Sequence, residues 1–238
     1  MAPSYVTSMT DPRTDDPPSS TGTDSLSVLA RDVVTVVAVV AVVAALLFGI
    51  SGIWPPFVAI ESGSMEPNAE VGDLVFVVDE ERFAPDLAVA DTGVVPASTG
   101  ANDGHETFGE PGDVIVFAPD GDPAKTPVIH RAHYWVEDGE NWVETSANEE
   151  YLAGHDCEDL PSCPAPHDGF VTKGDANGAY DQAVEYQYAD TNVVASDWIV
   201  GKASVRLPWL GHVRLLFGSL VAGVSALAAF GVGPSIRR

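Results

Sequence analysis

Hydrophobic and polar positions divide the chain into an apolar run near the N-terminus, a middle region of short apolar stretches, and a second apolar run near the C-terminus. Residues 33–54 are apolar except for Thr35 and Ser51. As a helix rising about 1.5 Å per residue, this run spans about 33 Å, enough to cross a bilayer core of about 30 Å. It is also longer than the apolar core of a signal peptide, about 7–15 residues. We therefore predict a retained transmembrane helix over 33–54.

The same pattern predicts an N-terminal tail before the first apolar run and a second membrane helix near the C-terminus. Residues 1–32 begin with a stretch rich in Ser, Thr, Asp and Pro, which predicts a disordered, acidic, cytoplasmic tail. The uncharged run 215–232 predicts a second transmembrane helix over 213–233, with a buried soluble helix as the alternative. A short basic tail, 234–238, follows it. Arg31 and the pair Arg237-Arg238 favour two cytoplasmic termini, whereas Lys202, Arg206 and Arg214, on the other side of the second run, favour the opposite. Charge alone therefore leaves the topology open, and we expect both termini to be cytoplasmic.

The middle region, 55–206, contains short runs rich in Val, Ile, Phe and Trp, bounded by Gly, Pro and Asp. Such runs are typical of β-strands, and they predict strands at 74–78, 114–117, 128–136, 142–145, 170–173 and 198–207. Two polar segments, 84–111 and 137–168, are predicted to be insertions that form surface loops. The fold class is therefore a mainly β domain with one N-terminal and one C-terminal transmembrane helix.

The charge of the protein is concentrated in the middle region. The formal net charge is -24, and residues 55–206 alone contain 30 acidic and 6 basic residues. A field of this sign repels phosphates and argues against a nucleic-acid partner. A carboxylate-rich surface with few lysines favours a halophilic source, since salt at about 1 M screens charges within about 3 Å. The alternative is an ordinary acidic, solvated surface.

A candidate nucleophile, Ser64, lies ten residues after the first apolar run, in the sequence Ser62-Gly-Ser-Met-Glu-Pro67. Gly63 permits unusual backbone angles and Pro67 stiffens the turn. Ser62 is a candidate donor to an oxyanion that forms beside the Ser64 backbone N–H. A serine between Gly and Met is more often an ordinary loop residue, so this interpretation depends on a base elsewhere.

The candidate base is a histidine in the run 127–136. His105, His155 and His167 lie in polar loops, and His212 lies at the edge of the second apolar run. In a strand over 128–136, alternation places His130 and His133 on opposite faces. We favour His130 because its face carries the smaller and more apolar side chains.

The candidate acid lies in a Gly- and Asn-containing turn that holds Asp175 and Asp181, six residues apart. One of them would hold the histidine tautomer and stabilise the imidazolium ion, as in a Ser-His-Asp site. Taken alone, this turn is more typical of a calcium-like or Asx-stabilised loop.

Together these segments resemble type I signal peptidases, particularly the archaeal and endoplasmic-reticulum branch. Ser-Gly-Ser-Met-x-Pro is similar to the nucleophile box of that family, and 112–117 resembles its central strand. Val128-Ile-His-Arg131 resembles the box in which this branch has histidine in place of the bacterial lysine base. Gly174-Asp-Ala-Asn177, followed by Asp181, resembles the acidic box. The resemblance covers roughly 33–80, 111–136 and 169–207, in this order.

The resemblance implies Ser64 as nucleophile, His130 as general base, Asp181 as the triad acid, Asp175 as a supporting residue and Ser62 as oxyanion support. It implies a β catalytic domain on the outer face of the cell membrane, which removes signal peptides from secretory preproteins after small residues. The expected partners are these preproteins, the lipid bilayer and the protein translocation machinery. No cofactor and no metal is expected. The two insertions depart from the compact form of the family.

Three alternatives remain at this point. The first is a related processing protease with a narrower set of substrates. The second, from another functional class, is a non-catalytic binding module that is tethered to the membrane and keeps the fold. The third is a Ser-Lys dyad that uses Lys173 or Lys125 as base.

The two cysteines, Cys157 and Cys163, lie in the second insertion. An even number of cysteines in a domain outside the cytoplasm favours a disulfide bond. The alternative is a zinc clip formed with His155 and His167, although the spacing is not that of a standard zinc site.

Overall fold

The computed structural model describes residues 23–184 and 191–213. The chain divides into two units between Ala45 and Leu46. In the first unit, and continuing into the second, helix α1 extends over Thr23–Ser51. Within it, Ser27–Ser51 is long and apolar enough to cross a membrane, and it is the only such helix in the described part of the chain. Since this helix lies near the N-terminus, a signal sequence would pass the same test of length and composition.

The bounds of α1 correct the predicted ones. The helix begins at Thr23 rather than at residue 33, so the prediction of a disordered tail is wrong for 23–32. Leu26, Val28 and Leu29 extend the apolar run toward the N-terminus and favour an earlier start. The helix ends at Ser51 because Gly52 adopts a left-handed conformation with φ of 84°. The predicted tail 1–22, the basic tail 234–238 and the second helix 213–233, apart from residue 213, lie outside the described residues.

The second unit is built on one six-stranded antiparallel sheet. Its spatial order is β1-β2-β8-β5-β6-β7, so β8, the last strand among the described residues, lies between the pair β1-β2 and the group β5-β6-β7. The strands are β1 (Phe57–Ala59), β2 (Leu74–Val78), β5 (Val114–Phe117), β6 (Val128–Val136), β7 (Gly169–Lys173) and β8 (Ile199–Leu207). A small hairpin consists of β3 (Glu106–Thr107) and β4 (Glu110–Pro111).

The mainly β prediction is confirmed, with one element wrong. Strands lie where the sequence predicted them at 74–78, 114–117, 128–136, 170–173 and 199–207. The run 142–145, however, forms a short helix, α3 (Trp142–Thr145), which the side chain of Asn141 caps by accepting from the Glu144 N–H. An N-cap of this kind satisfies a backbone donor that a strand would pair with its neighbour, so it favours the helix over the apolar composition.

The central strand β5 separates two apolar clusters. Val114 and Val116 pack with the nucleophile segment residues Ile60 and Met65. The alternate residues Ile115 and Phe117 pack with Val94 and Phe170 in a second cluster. This alternation is the period of two that a strand imposes, and both faces of β5 are buried. The residues around Ser64 are thus held by the same core that supports the strands.

Both predicted insertions carry some regular structure. The first contains helix α2 (Ala97–Asp103) and the β3-β4 hairpin. The second contains α3 and packs the buried rings of Trp142 and Tyr180 together with Tyr134 of β6. Cys157 and Cys163, also in the second insertion, form a disulfide bond. The disulfide interpretation is therefore confirmed, and the zinc clip is wrong because both sulfur atoms are bonded to each other.

Candidate active site

Ser64 lies in a single 3-10 turn, Gly63–Met65, between β1 and β2. Met65 anchors the turn, since its side chain is buried against Ile60 and the β-sheet. Ser64 itself is half-buried and Ser62 is exposed. The hydroxyl oxygens of the two serines are 3.2 Å apart and form a hydrogen bond. The turn thus presents the Ser64 hydroxyl at the surface of the core, with a second hydroxyl beside it.

His130 lies in β6 and is buried, as strand alternation predicted for its face. Its ring nitrogen Nδ1 is 2.6 Å from Asp181 Oδ2. Because an ionised carboxylate only accepts hydrogen bonds, Nδ1 carries the hydrogen and donates it. In the neutral ring the other nitrogen, Nε2, is then an acceptor, which is the tautomer that a general base needs.

Asp181 starts a 3-10 turn, Asp181–Ala183, and its side chain is fully buried. Its Oδ2 atom also accepts a hydrogen bond of 2.7 Å from the Thr172 hydroxyl. The other oxygen, Oδ1, is buried without a hydrogen-bond partner in the described residues. Two donors on Oδ2 therefore hold the Asp181 carboxylate in place against the His130 ring.

Gly174 brings the turn of Ser64 next to His130. A methyl group at this glycine would lie 2.6 Å from the Ser64 carbonyl oxygen and 2.9 Å from His130 Nε2. The same carbonyl accepts a hydrogen bond of 2.8 Å from the Ala176 N–H. Among the described residues, no hydrogen bond joins the Ser64 hydroxyl to His130 Nε2. Such catalytic bonds often tighten only when substrate binds.

Asp175 pairs with Arg131, whereas Asp181 pairs with His130. Asp175 forms a two-pronged ion pair with Arg131, with Nε–Oδ1 and Nη2–Oδ2 distances of 2.8 Å and 2.7 Å. Its Oδ2 atom also accepts a hydrogen bond of 2.9 Å from the side-chain amide of Asn68, four residues after Ser64. Arg131 Nη1 lies within hydrogen-bond distance of four carbonyl oxygens between Thr107 and Gly112. Asp175 therefore joins the nucleophile loop, β6 and the first insertion.

Neither candidate lysine base is directed at Ser64. Lys173 donates to the carbonyl oxygens of Gly174, Asp175 and Asn177, and its ammonium lies 4.7 Å from the ring centroid of Tyr151. Lys125 forms an exposed ion pair with Asp120. The structure thus does not bring either amine to the place where a Ser-Lys dyad requires it.

His105, His212 and His133 contact residues other than Ser64 and Asp181. His105 Nε2 donates to Asp113 Oδ1 at 2.8 Å, and His212 Nδ1 donates to the Gly72 carbonyl oxygen at 3.1 Å. His133 packs its ring edge-on against Tyr180, with centroids 5.3 Å apart. Burial lowers the pKa of His133 to about 4, and the charges of Lys173 and Arg131 act in the same direction. His133 is therefore neutral at ordinary pH.

Burial also lowers the pKa of Lys173, against the opposing charges of Asp175 and Asp181. The described residues contain no group of three or more His, Cys, Asp or Glu side chains that could hold a metal ion. Ser64, His130 and Asp181 supply a hydroxyl, an imidazole and a carboxylate, the three kinds of group that a Ser-His-Asp site contains.

Sequence reasoning missed three residues of this site: Thr172, Asn68 and Arg131. Arg131 carried the clearest signal, because a charged residue inside a strand that reads as buried requires a buried partner. Thr172 is, with Lys173, one of two polar residues at the end of β7, just before the acidic turn. Asn68 gave no signal that separates it from any other loop asparagine.

Comparison with known proteins adds no assignment to this geometry: no protein-family model and no curated protein matches the chain.

Proposed function

We propose that this protein is a membrane-anchored serine endopeptidase that removes N-terminal signal peptides from secretory preproteins. The observation that carries the proposal is the buried His130–Asp181 pair, whose free ring nitrogen lies beside the turn that presents Ser64. A serine hydroxyl is a weak nucleophile and needs such a base. The order and sequence of the three segments, which resemble type I signal peptidases, supply the reaction and the substrate class.

The mechanism begins with proton transfer from the Ser64 hydroxyl to His130 Nε2 as the oxygen attacks the scissile carbonyl carbon. Asp181 accepts from Nδ1–H and stabilises the imidazolium ion that forms. The Ser62 hydroxyl, 3.2 Å from the Ser64 hydroxyl, is placed to donate to the developing oxyanion. His130 then protonates the leaving amine, the mature protein departs, and water hydrolyses the acyl-enzyme that holds the signal peptide.

The membrane location is part of this proposal. Helix α1 would serve as a retained anchor, with the β domain on the outer face of the cell membrane. The disulfide bond supports that side, since disulfides persist in oxidising compartments. An anchor shared with the substrate membrane raises the effective concentration of the signal peptide without tight contacts.

The test is cleavage of a preprotein with an Ala-x-Ala site by the full chain in lipid vesicles at high salt. Wild-type protein should release the mature protein, and Ser64→Ala or His130→Ala should abolish release because nucleophile or base is lost. Mass spectrometry of the products locates the cut.

The matched control is Ser204→Ala, which removes the hydroxyl of an exposed serine in β8 and should cut at the wild-type rate. Full activity of Ser64→Ala would overturn the mechanism. A folded wild-type protein that binds the preprotein without cutting it would favour a non-catalytic binding module instead.

A further inference from the structure

The side chain of Gln182 is buried directly after Asp181, in the turn Asp181–Ala183. Its carbonyl oxygen Oε1 accepts a hydrogen bond of 2.9 Å from the Thr172 N–H in β7. Its amide nitrogen Nε2 donates to the Asn192 carbonyl oxygen at 3.1 Å and to the Thr172 hydroxyl oxygen at 3.3 Å. Both hydrogens of the amide therefore have partners, and neither partner is Asp181 itself.

The amide of Gln182 takes the place of a backbone partner at the edge of the sheet. Phe170 in β7 pairs with Val194 through two backbone hydrogen bonds, of 2.8 Å and 2.9 Å. In this antiparallel register, Thr172 and Asn192 are the next residues that would pair with each other. The Gln182 amide instead bonds the N–H of Thr172 and the carbonyl oxygen of Asn192, so it continues the pairing by one step.

These two backbone contacts fix the orientation of the Gln182 amide. If its oxygen and nitrogen were exchanged, two donors would meet at the Thr172 N–H and two acceptors would meet at the Asn192 carbonyl. Both hydrogen bonds would then be lost in a buried place, which costs free energy. The atom beside the Thr172 hydroxyl is therefore the amide nitrogen, which only donates.

The Thr172 hydroxyl has one hydrogen, and the two side chains beside it decide where this hydrogen points. The hydroxyl oxygen accepts from Gln182 Nε2. Because the ionised Asp181 carboxylate only accepts, the hydroxyl hydrogen points to Asp181 Oδ2, 2.7 Å away. The same Oδ2 atom accepts from His130 Nδ1–H. Three hydrogen bonds between buried side chains thus connect the Gln182 amide to the ring of the proposed base.

We propose that Gln182 and Thr172 are positioning residues for the proposed reaction. Among the described residues, the Thr172 hydroxyl is the only donor to Asp181 apart from His130 itself. Without it, the carboxylate would be held only by the ring that it has to orient. Gln182 acts one step further away, because it fixes the direction in which the Thr172 hydroxyl donates. This inference rests on the proposed endopeptidase function and adds two residues to its machinery.

Thr172→Val removes the hydroxyl but keeps the shape of the side chain and the backbone N–H that bonds Gln182 Oε1. We expect kcat for preprotein cleavage to fall about ten-fold, the order of effect of one lost hydrogen bond to a charged group. KM should stay unchanged because no contact with the substrate is lost. Thr172→Ser restores the hydroxyl and should recover most of the wild-type kcat.

The matched control is Thr107→Val. It also removes a buried threonine hydroxyl that donates to a buried aspartate, but this aspartate is Asp113, which pairs with His105. Thr107→Val should keep the wild-type kcat. A loss equal to that of Thr172→Val would overturn the inference, because the effect would then not depend on the Asp181 carboxylate.

A double-mutant cycle tests whether Gln182 acts through Thr172. Gln182→Met removes the amide at similar side-chain volume and should lower kcat about three-fold, as for one neutral hydrogen bond. In the Thr172→Val background the same substitution should have little further effect, since the hydroxyl that it fixes is already absent. If the two losses multiply, Gln182 acts independently and the inference is overturned.

A spectroscopic measurement tests the positioning without any substrate. In the full chain with isotope-labelled histidine, the Nδ1–H hydrogen of His130 gives an NMR signal whose exchange with water reports how well its bond to Asp181 is held. Wild-type protein and Thr172→Ser should show slow exchange, and Thr172→Val should show faster exchange. The signal of His105, which donates to Asp113, is the internal control and should not change.

The outcomes distinguish this inference from the proposed function. Either a wild-type kcat or an unchanged His130 signal in Thr172→Val would overturn the inference and leave the endopeptidase intact. Failure of Thr172→Ser to restore kcat and signal would also overturn it, because the side-chain shape rather than the hydroxyl would then matter. If the signal responds as expected but wild-type protein cuts no preprotein, the positioning of the ring is supported and the proposed function is overturned.

Discussion

Asp181 receives two hydrogen bonds on one oxygen and none on the other, and this asymmetry has a chemical consequence. The Oδ2 atom is fixed by His130 and Thr172, so the imidazole ring is held in one orientation. The Oδ1 atom has no hydrogen-bond partner among the described residues. In the proposed reaction, the Asp181 carboxylate would stabilise the imidazolium ion that His130 becomes after it takes the Ser64 proton.

Gly174 gives the sharpest residue-scale prediction for the proposed reaction. Gly174→Ala places a methyl group 2.6 Å from the Ser64 carbonyl oxygen and 2.9 Å from His130 Nε2. The serine turn and the base must then separate by a substantial fraction of an ångström. We expect kcat to fall about 100-fold, since a misplacement of about 1 Å costs that much. The measurement is single-turnover cleavage of the preprotein.

The matched control is Gly178→Ala, in the same loop, where a methyl group would have no neighbour within 4 Å. It should retain wild-type kcat. If Gly174→Ala also cuts at the wild-type rate, the serine turn and His130 do not work together in the way proposed.

His133 gives a prediction about stability against pH. Its pKa falls from 6.5 to about 4 on folding, so the folded state favours the neutral ring. Stability is then fully present above pH 6.5 and is lost as the pH falls from 6.5 toward 4, by about 3 kcal/mol in total. His133→Gln should lose that much less stability than wild type over this range. Denaturant unfolding at pH 7 and about pH 4.5 measures the difference.

His155→Gln, an exposed histidine of the second insertion, is the control and should follow wild type. A wild-type loss no larger than that of His133→Gln would show that His133 stays accessible to protons in the folded protein.

Strand alternation favoured His130 over His133 because it places the two residues on opposite faces of a nine-residue strand, and the structure buries His130. The alternation does not continue through the strand, since a β-bulge between Ala132 and Tyr134 makes His133 the extra residue. A bulge depends on the pairing of two strands that are distant in sequence. The residues of the acidic turn, Asp175 and Asp181, also meet segments that are distant in sequence. Sequence could therefore favour one of them as the partner of His130 but could not assign it.

At the scale of elements, Asp175 connects the loop after Ser64 with β6 and, through Arg131, with the β3-β4 hairpin. These contacts are additional to the strand pairing of the sheet. Arg131 on β6 and Asn68 on the nucleophile loop both bond the Asp175 carboxylate. The carbonyl oxygens that Arg131 also bonds belong to the β3-β4 hairpin and the residues after it. One ion pair therefore fixes the nucleophile loop relative to the strand of the base.

Asp175→Asn should destabilise the folded protein by about 3 kcal/mol, because it leaves Arg131 buried without a counter-charge. Asp120→Asn is the control: its ion pair with Lys125 has the same 2.7 Å length but is exposed, so its loss should cost less than about 1 kcal/mol. Thermal or denaturant unfolding measures both. Equal effects of the two substitutions would mean that burial of the Arg131–Asp175 pair contributes nothing.

The strands predicted best are those whose apolar residues lie buried in the sheet. β5 is an apolar run, β7 contains the apolar pair Phe170-Val171, and both strands lie buried in the sheet where the sequence predicted them. The run 142–145 also begins with two apolar residues, but it forms α3 because Asn141 caps it and Trp142 packs inside the second insertion. The short strand β1 and the β3-β4 hairpin are too brief for any periodic pattern to reveal.

At the scale of the whole domain, the sheet order separates the proposed catalytic groups into two parts. β1 and β2 flank the turn that holds Ser64, whereas β5, β6 and β7 carry or precede His130 and Asp181. β8 pairs with β2 on one side and with β5 on the other. In the sheet, β8 is thus the link between the part that holds Ser64 and the part that holds His130.

This topology predicts late formation of the folded domain. Nascent chains stalled before residues 199–207 leave the ribosome should remain sensitive to protease in both parts of the sheet, because β2 and β5 each lack a neighbour. Chains stalled after these residues have emerged should become resistant. Resistance of the shorter chains, measured by limited proteolysis, would show that the two parts assemble without β8.

In the proposed peptidase, the position of β8 also decides when activity can begin during synthesis. Helix α1 precedes every strand of the sheet in the chain, and β8 follows the other strands. A newly made molecule would therefore lack the paired sheet that joins the Ser64 turn to His130 while its own N-terminal segment is already present. The order of strands would in this way keep α1 from being cut by the site that follows it.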